Sequence, residues 1–494
     1  MTEFKVCKGL LDKAGLYPKS SLPETKFNDY IDEYCYLYAP KDNPRKSLEF
    51  RLHIQLIKDV YQTLPGSQIA WIESSISAIR DMIIDKRLEH KVTYPLDVLV
   101  FVIVLAKACG CNRAEDIAQF YATRQLELLL LVPGMPSPKH RVSAATITNI
   151  LRMVSPEQID ELMRVYFRTV KLTLDKMIEA NCQRPRIDGA DKMTYAFDGQ
   201  EVTDSYRKGN TSRHCKGGHI VSIFNSTLKQ ALTSVIASAK NQETEAFLKM
   251  LSKTGVDLEG SVVMCDAINS KVNVSKVIIS KGADYLLNIK KNGFKNLLGH
   301  LEGTFNRLNA MPKTKDLIKI KHCEKKHGRR DTWVIEVAPA TLVNTMRFDL
   351  KLNNVQTIVR FYKESQKIID GLEIEKNTKS ERYYLSSLSF SKDNSKQILQ
   401  SILDYWAIEA HHGRLDDEHL FDQDSTQSCC ENYLGNTASI NKIAYNFLTW
   451  KRMQVSTALN RKTPVSYRTI VRDYSQGSLF DLLEDLYVFY SSET

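Results

Sequence analysis

The chain reads as an α/β protein, a mixed sheet set between a helical N-terminal region and a helical C-terminal one. Three observations predict this. Apolar residues recur at helical spacing over the first 190 positions; the period drops to two from Thr194; and helical spacing returns from about Lys396. Between those changes three adjacent strands are followed by helix, strand, helix and strand, which is neither a bundle nor an all-β sandwich. The expected divisions are a helical domain over 1–190, the first part of the α/β core over 191–314, a strand-rich insertion over 315–390, and core completion with C-terminal helices over 391–494.

Each element has a local cause. Ile72, Ile76, Ile79 and Ile83 share a helical face, and Pro95 to Gly110 is a more deeply buried helix ending at glycine. A third helix runs from Ala114 to Val132, stopped by Pro133-Gly134. Ser143 caps a short helix whose Ile147, Ile150, Leu151 and Val154 form a stripe. Ser155-Pro156-Glu157-Gln158 has the spacing of a capping box. With Lys139, His140, Arg141 and Arg152 nearby, these short helices fit a DNA-reading element or a structural bundle equally well.

Beyond Thr194, the segments Thr194–Asp198, Ile220–Phe224, Ala231–Ala237, Ser261–Asp266 and Asp284–Lys290 read as strands, with a basic Gly-rich loop (Arg207, Lys208, Arg213, Lys216) between the first two. Leu317–Ile320, Trp333–Val337, Val355–Phe361 and Tyr383–Leu388 supply the strands of the insertion. Leu399, Ile402, Leu403, Trp406 and Ala410 then make one apolar stripe, placing Glu409 on its rim near the C-terminal end of a single helix.

Composition bounds the function. The longest clean apolar run, Val98 to Ala106, is nine residues, about half of the roughly 20 a membrane-spanning helix needs. The N-terminus lacks the basic-then-apolar order of a signal peptide, so a cytoplasmic protein is expected. Ten scattered cysteines with no CxxC pair suit reduced thiols. The 68 Lys+Arg exceed the 58 Asp+Glu by 10, and the 45 residues from Leu286 to Arg330 alone carry a net +9. Such concentration suggests a polyanionic partner, although a charge run alone also suits a solvated face.

Three carboxylates stand out. Asp198 ends the first strand of the α/β region, Asp266 ends the fourth, and Glu409 overlies the sheet edge. Separately they read as a hairpin-turn residue, a strand terminator and a surface residue. Together, two strand-end carboxylates and one from an overlying helix could hold two divalent ions for in-line attack at phosphorus, and oxygen-only ligands favour Mg²⁺ or Mn²⁺ over zinc. The His214-Cys215 and His322-Cys323 pairs, with His219 and His327, lack the second half of a zinc module.

The pattern resembles the bacterial insertion-sequence DDE transposases of the H-repeat-associated family from about Ile79 to Leu448. The strings that carry it, in order, are Ala114-Glu-Asp-Ile-Ala-Gln-Phe, Tyr195-Ala-Phe-Asp198-Gly199, Ser261-Val-Val-Met-Cys-Asp266-Ala267, Gly282-Ala-Asp-Tyr-Leu-Leu-Asn-Ile-Lys290-Lys-Asn292, His327-Gly328-Arg329-Arg330, Arg382-Tyr-Tyr-Leu-Ser-Ser-Leu388 and Trp406-Ala-Ile-Glu409. The resemblance implies an RNase H-like core with Asp198, Asp266 and Glu409 as the catalytic, metal-binding triad for two Mg²⁺ or Mn²⁺ ions. It implies a transposase that cleaves and joins the ends of an insertion sequence. Arg207, Lys208, Lys290, Lys291, His327, Arg329 and Arg330 would contact DNA, both element ends and target, with two chains pairing as a homodimer in the cytoplasm, at the nucleoid.

The chain also departs from the family. Gln200, Thr203 and Asp204 follow Asp198-Gly199 where the family has a lysine and an arginine-glycine pair, and Ala407 and Ala410 replace the common Gly and Asn around Glu409. Ile402, Tyr405 and Asp416 occupy the offsets at which hairpin-forming relatives carry Tyr, Arg and Lys, so hairpin chemistry is not expected. Two alternative readings remain: an end-binding protein without catalysis, and a stand-alone nuclease on the same core.

Overall fold

The period-two segments assemble into one nine-stranded sheet. The computed structural model describes residues 32–491 apart from 42, 63–64, 168–185, 206–217, 238–241, 254, 312–313, 327–328, 344–351, 370–371, 429 and 462. The strands are β1 (Thr194–Glu201), β2 (His219–Asn225), β3 (Gln230–Ala237), β4 (Val262–Cys265), β5 (Asp284–Ile289), β6 (Ile318–Lys326), β7 (Arg329–Pro339), β8 (Thr357–Ile369) and β9 (Leu372–Ser386), in spatial order β3-β2-β1-β4-β5-β9-β8-β7-β6. β1, β4 and β5 run parallel; β2 and β3 are antiparallel hairpin partners, and β9 to β6 continue the sheet antiparallel from β5. The protein is thus a mixed α/β structure with one large sheet. The strands expected at 315–390 extend that sheet.

Alternation assigns the two sheet faces. Phe197, Val221, Ile223, Val263, Cys265, Tyr285 and Leu287 point to one, covered by the helices Glu243–Leu251 and Val272–Ser280. On the other, Val262, Met264 and Leu286 pack against the helix Lys392–Tyr405, while Ala196, Phe224 and Ala231 join the core built by the helices of the N-terminal third and by Glu431–Ala458, Tyr467–Gln476 and Leu479–Ser491. Burying the apolar stripes of both terminal regions in one core is what the hydrophobic effect favours for amphipathic helices. Among the described residues no helix is long and apolar enough to cross a membrane.

Some local expectations change. The helix expected from Ala114 to Val132 is two, Ala114–Thr123 and Gln125–Leu131, broken at Arg124 (φ −102°, ψ 9°). Ser143 does cap its helix, its side chain accepting from the Thr146 N–H. Ser155 does not: its hydroxyl donates to Glu157 at 2.7 Å, and the helix opens on Pro156 alone. The single helix expected to end beyond Glu409 is also two, Lys392–Tyr405 and Ala407–Leu415, meeting at Trp406.

Candidate active site

Strand register brings the two aspartates together. Phe197 pairs with Cys265 on the parallel strands β1 and β4, so Asp198 and Asp266 follow at adjacent positions. Both have the parity of Ala196 and Met264 and therefore lie on the face covered by the Lys392–Tyr405 helix. Asp198-Gly199 is not a turn, because Gly199 continues β1 opposite Val221. Its missing Cβ has a packing reason: a methyl there would collide with His219 Nε2 and Glu243 Oε1, a buried pair 2.7 Å apart.

The backbone fixes one oxygen of each carboxylate. The Gly199 N–H donates to Asp198 Oδ1 at 2.9 Å, and the Ala267 N–H donates to Asp266 Oδ1 at 2.7 Å, where Asp266 caps a short 3-10 turn. Lys290, at the end of β5, also donates to Asp266 Oδ1 at 2.7 Å. Glu409 lies in the first turn of Ala407–Leu415, a helix packed against β1, and is exposed. It therefore does not lie near a helix C-terminus; the break at Trp406 starts a new helix whose first turn carries the carboxylate.

The aspartates differ electrostatically. Burial pushes Asp198 up to about 6, against the Gly199 hydrogen bond and with further repulsion from Glu243, Asp266 and Glu409. Burial also acts to raise Asp266, but the Lys290 bond, the Ala267 N–H and the charges of Lys290 and Arg382 hold it below the ordinary value. Burial raises the Tyr405 hydroxyl, and the charge of Asp198 adds to this, which places Tyr405 beside the site.

Two neighbours, His412 and Arg382, were not singled out from sequence as site residues. His412 Nδ1 is 3.7 Å from Asp198 Oδ2, and its spacing of three from Glu409 on one helix was a usable signal. Arg382, exposed on β9, opens one of the family-like strings. Gln200 donates to Asp416 at 2.5 Å, and burial, with repulsion from Asp424, pushes Asp416 up to about 6. Asp416 is therefore part of a half-buried polar chain.

The basic residues separate. Lys290 is at the site, while Arg207, Lys208 and His327 lie outside the described residues. Lys291 opens the helix Lys291–Ala310 directly after β5. Arg329 and Arg330 begin β7, farther along. Ile289 is in line with Tyr383, Arg360 and Glu336, and Arg329 is seven positions beyond Glu336 on β7. At about 3.3 Å per residue, β6 to β9 project roughly 20 Å past the end of β5.

Carboxylate oxygens are the donor type that hard divalent cations select, and the mutual repulsion felt at Asp198 is what such a cation would relieve, so Asp198, Asp266 and Glu409 fit that role in kind. Among the described residues no three His, Cys, Asp or Glu side chains already stand at metal-site spacing.

Comparison with known proteins agrees with the sequence strings. Residues 80–167 match the family model described as DDE_Tnp_1-associated. The putative protein YbfL of Escherichia coli K12 is 24% identical over 74% of this chain and 88% of its own length. The H repeat-associated putative transposase YhhI of the same strain gives 24%, 74% and 88%, and the putative transposase YncI of Escherichia coli O157:H7 gives 27%, 76% and 88%. A piggyBac transposase synaptic complex with hairpin DNA aligns over 87% of this chain and 79% of that chain, at 11% identity and a TM-score of 0.34, too loose to carry an argument. The chain is similar to the H repeat-associated putative transposases along three quarters of its length.

Proposed function

We propose that this chain is a DNA transposase of the DDE type, with Asp198, Asp266 and Glu409 as its catalytic carboxylates. One observation carries the reading: register sets Asp198 beside Asp266 at one end of a parallel strand pair, and the helix bearing Glu409 is laid on β1 so that Asp198 feels both other charges. The strand order β3-β2-β1-β4-β5, with β2 antiparallel to β1, supports an RNase H-like core.

Two Mg²⁺ or Mn²⁺ ions held by these carboxylates would activate water or a 3′-hydroxyl and stabilise the leaving oxygen. The chain's own residues do the rest. Backbone N–H groups fix the orientation of the aspartates, and Lys290 can pass from Asp266 to a phosphate oxygen when DNA arrives. Lys291, Arg329 and Arg330, with Arg207, Lys208 and His327, extend the DNA path, and 1–190 would bind the element ends. Two chains would pair two ends before strand transfer.

The test is nicking and strand transfer by the purified full chain on a duplex carrying the element's inverted repeat. Wild type should cleave in Mn²⁺ and join pre-cut ends. Glu409→Gln should lose both reactions and keep end binding. Binding without cleavage would establish the end-binding protein instead, and cleavage without joining the nuclease.

A further inference from the structure

Resting on that reading, we propose that His412 is a positioning residue, fastening the helix that carries Glu409 to the Asp198 carboxylate and so setting the separation of the two metal-binding groups. Four observations lead there. Glu409 and His412 are three residues apart in Ala407–Leu415, so they share a helical face. Asp198 Oδ1 is held by the Gly199 N–H, and Oδ2 faces His412 Nδ1 at 3.7 Å. That distance lies just beyond hydrogen-bond reach, and contacts in catalytic sites commonly tighten when the complex assembles. The other ring nitrogen, Nε2, is buried without a hydrogen-bond partner among the described residues.

The ring's place is fixed from behind. His411 stacks on Phe224 of β2 at 4.6 Å and meets Tyr445 edge-on at 4.3 Å, so the helix backbone at these positions is anchored to the sheet and to Glu431–Ala458. His412 itself is 12% exposed. In its ordinary neutral form an imidazole carries one proton, on either ring nitrogen. Beside a carboxylate the favourable tautomer has that proton on Nδ1, aimed at Asp198 Oδ2. A side chain of this kind orients a ligand without binding the ion, a task whose loss typically weakens metal affinity about 10- to 100-fold.

Asparagine and glutamine separate this role from simple packing. Asn places an N–H where His has Nδ1, whereas Gln places it nearer the position of Nε2. Mn²⁺ binding to the full-length protein, measured by calorimetry, should be within about threefold of wild type for His412→Asn and weaker by about tenfold or more for His412→Gln and His412→Leu. Melting temperatures of all three variants show whether they are folded. Equal Mn²⁺ affinity in wild type and His412→Leu would overturn the inference, as would equal losses in the Asn and Leu variants. Saturable Mn²⁺ binding by wild type in those cases leaves the proposed function standing; its absence in wild type would overturn the metal site and this inference together.

Discussion

Lys290 and Asp266 form a bond of 2.7 Å between the end of β5 and the end of β4, so one of the two aspartates is already neutralised by a resident cation. The other, Asp198, faces three carboxylates and has no such partner in its charge balance. The site is therefore asymmetric before any ligand arrives, with one carboxylate ready as an anion and the other reluctant.

The Lys290 ammonium is more than half exposed and can exchange Asp266 for a phosphate oxygen. Lys290→Gln should weaken binding to all duplexes alike and lower the slope of log K against log salt by about one unit. Titrations at several salt concentrations on end-containing and unrelated DNA check this. A loss confined to the end sequence would mean that Lys290 reads bases.

Arg329 and Arg330 should not be equivalent. Arg329 has the parity of Trp333 on β7, and Trp333 packs toward the face of the catalytic helices, where Lys363 lies 5.4 Å from its ring and 5.9 Å from that of Trp406. Arg330 has the parity of Glu336, which bonds Asn309 and Arg360 on the opposite face, under Lys291–Ala310. Arg329→Ala should therefore reduce both DNA affinity and cleavage, whereas Arg330→Ala should leave cleavage of bound ends nearly unchanged. Single-turnover nicking at saturating protein separates these effects.

Asp198 should make the protein less stable as pH rises. Its folded value of about 6 lies above the ordinary 3.8, so between those limits the folded state binds more protons than the unfolded one. Its stabilising contribution is complete below about pH 4, and is lost as pH rises through 6. Asp198→Asn keeps an acceptor for the Gly199 N–H and removes the charge. Thermal unfolding should show the variant melting above wild type at pH 7.5, with the gap closing toward pH 4. A variant that melts lower at pH 7.5 would contradict the repulsion.

What could be read from sequence was local. The strand carrying Asp198 was visible because alternation of Tyr195, Phe197 and their neighbours marks a half-buried strand, although β1 runs on past the expected end at Asp198 to Glu201. The break at Trp406 was not, because Leu399, Ile402, Leu403, Trp406 and Ala410 keep helical spacing through it; only the fold leaves Ala410 exposed. Nor could spacing reveal that Gln200 would meet Asp416, 216 positions away, or that Arg329 and Arg330 would be carried to the far end of a projecting sheet. Those relationships are set by strand order, which the one-dimensional pattern does not encode.

Gly199 couples the strand of Asp198 to the buried His219–Glu243 pair, and this gives the sharpest packing prediction. A methyl at Gly199 meets His219 Nε2 and Glu243 Oε1 at once, while Asn269 at 3.3 Å further restrains the Glu243 carboxylate. Gly199→Ala should cost about 1–3 kcal/mol, since enlarging a side chain in a filled core forces off-rotamer geometry. Glu243→Ala makes room but leaves His219 without that partner, so it is also destabilising alone. Because each change relieves part of what the other causes, the double variant should lose less than the two single losses together, by about 0.5 kcal/mol or more. Chemical denaturation of the four proteins measures that coupling. Strict additivity would show that β1 shifts as a whole to admit the methyl, and nicking by Gly199→Ala should then fall because Asp198 moves with it.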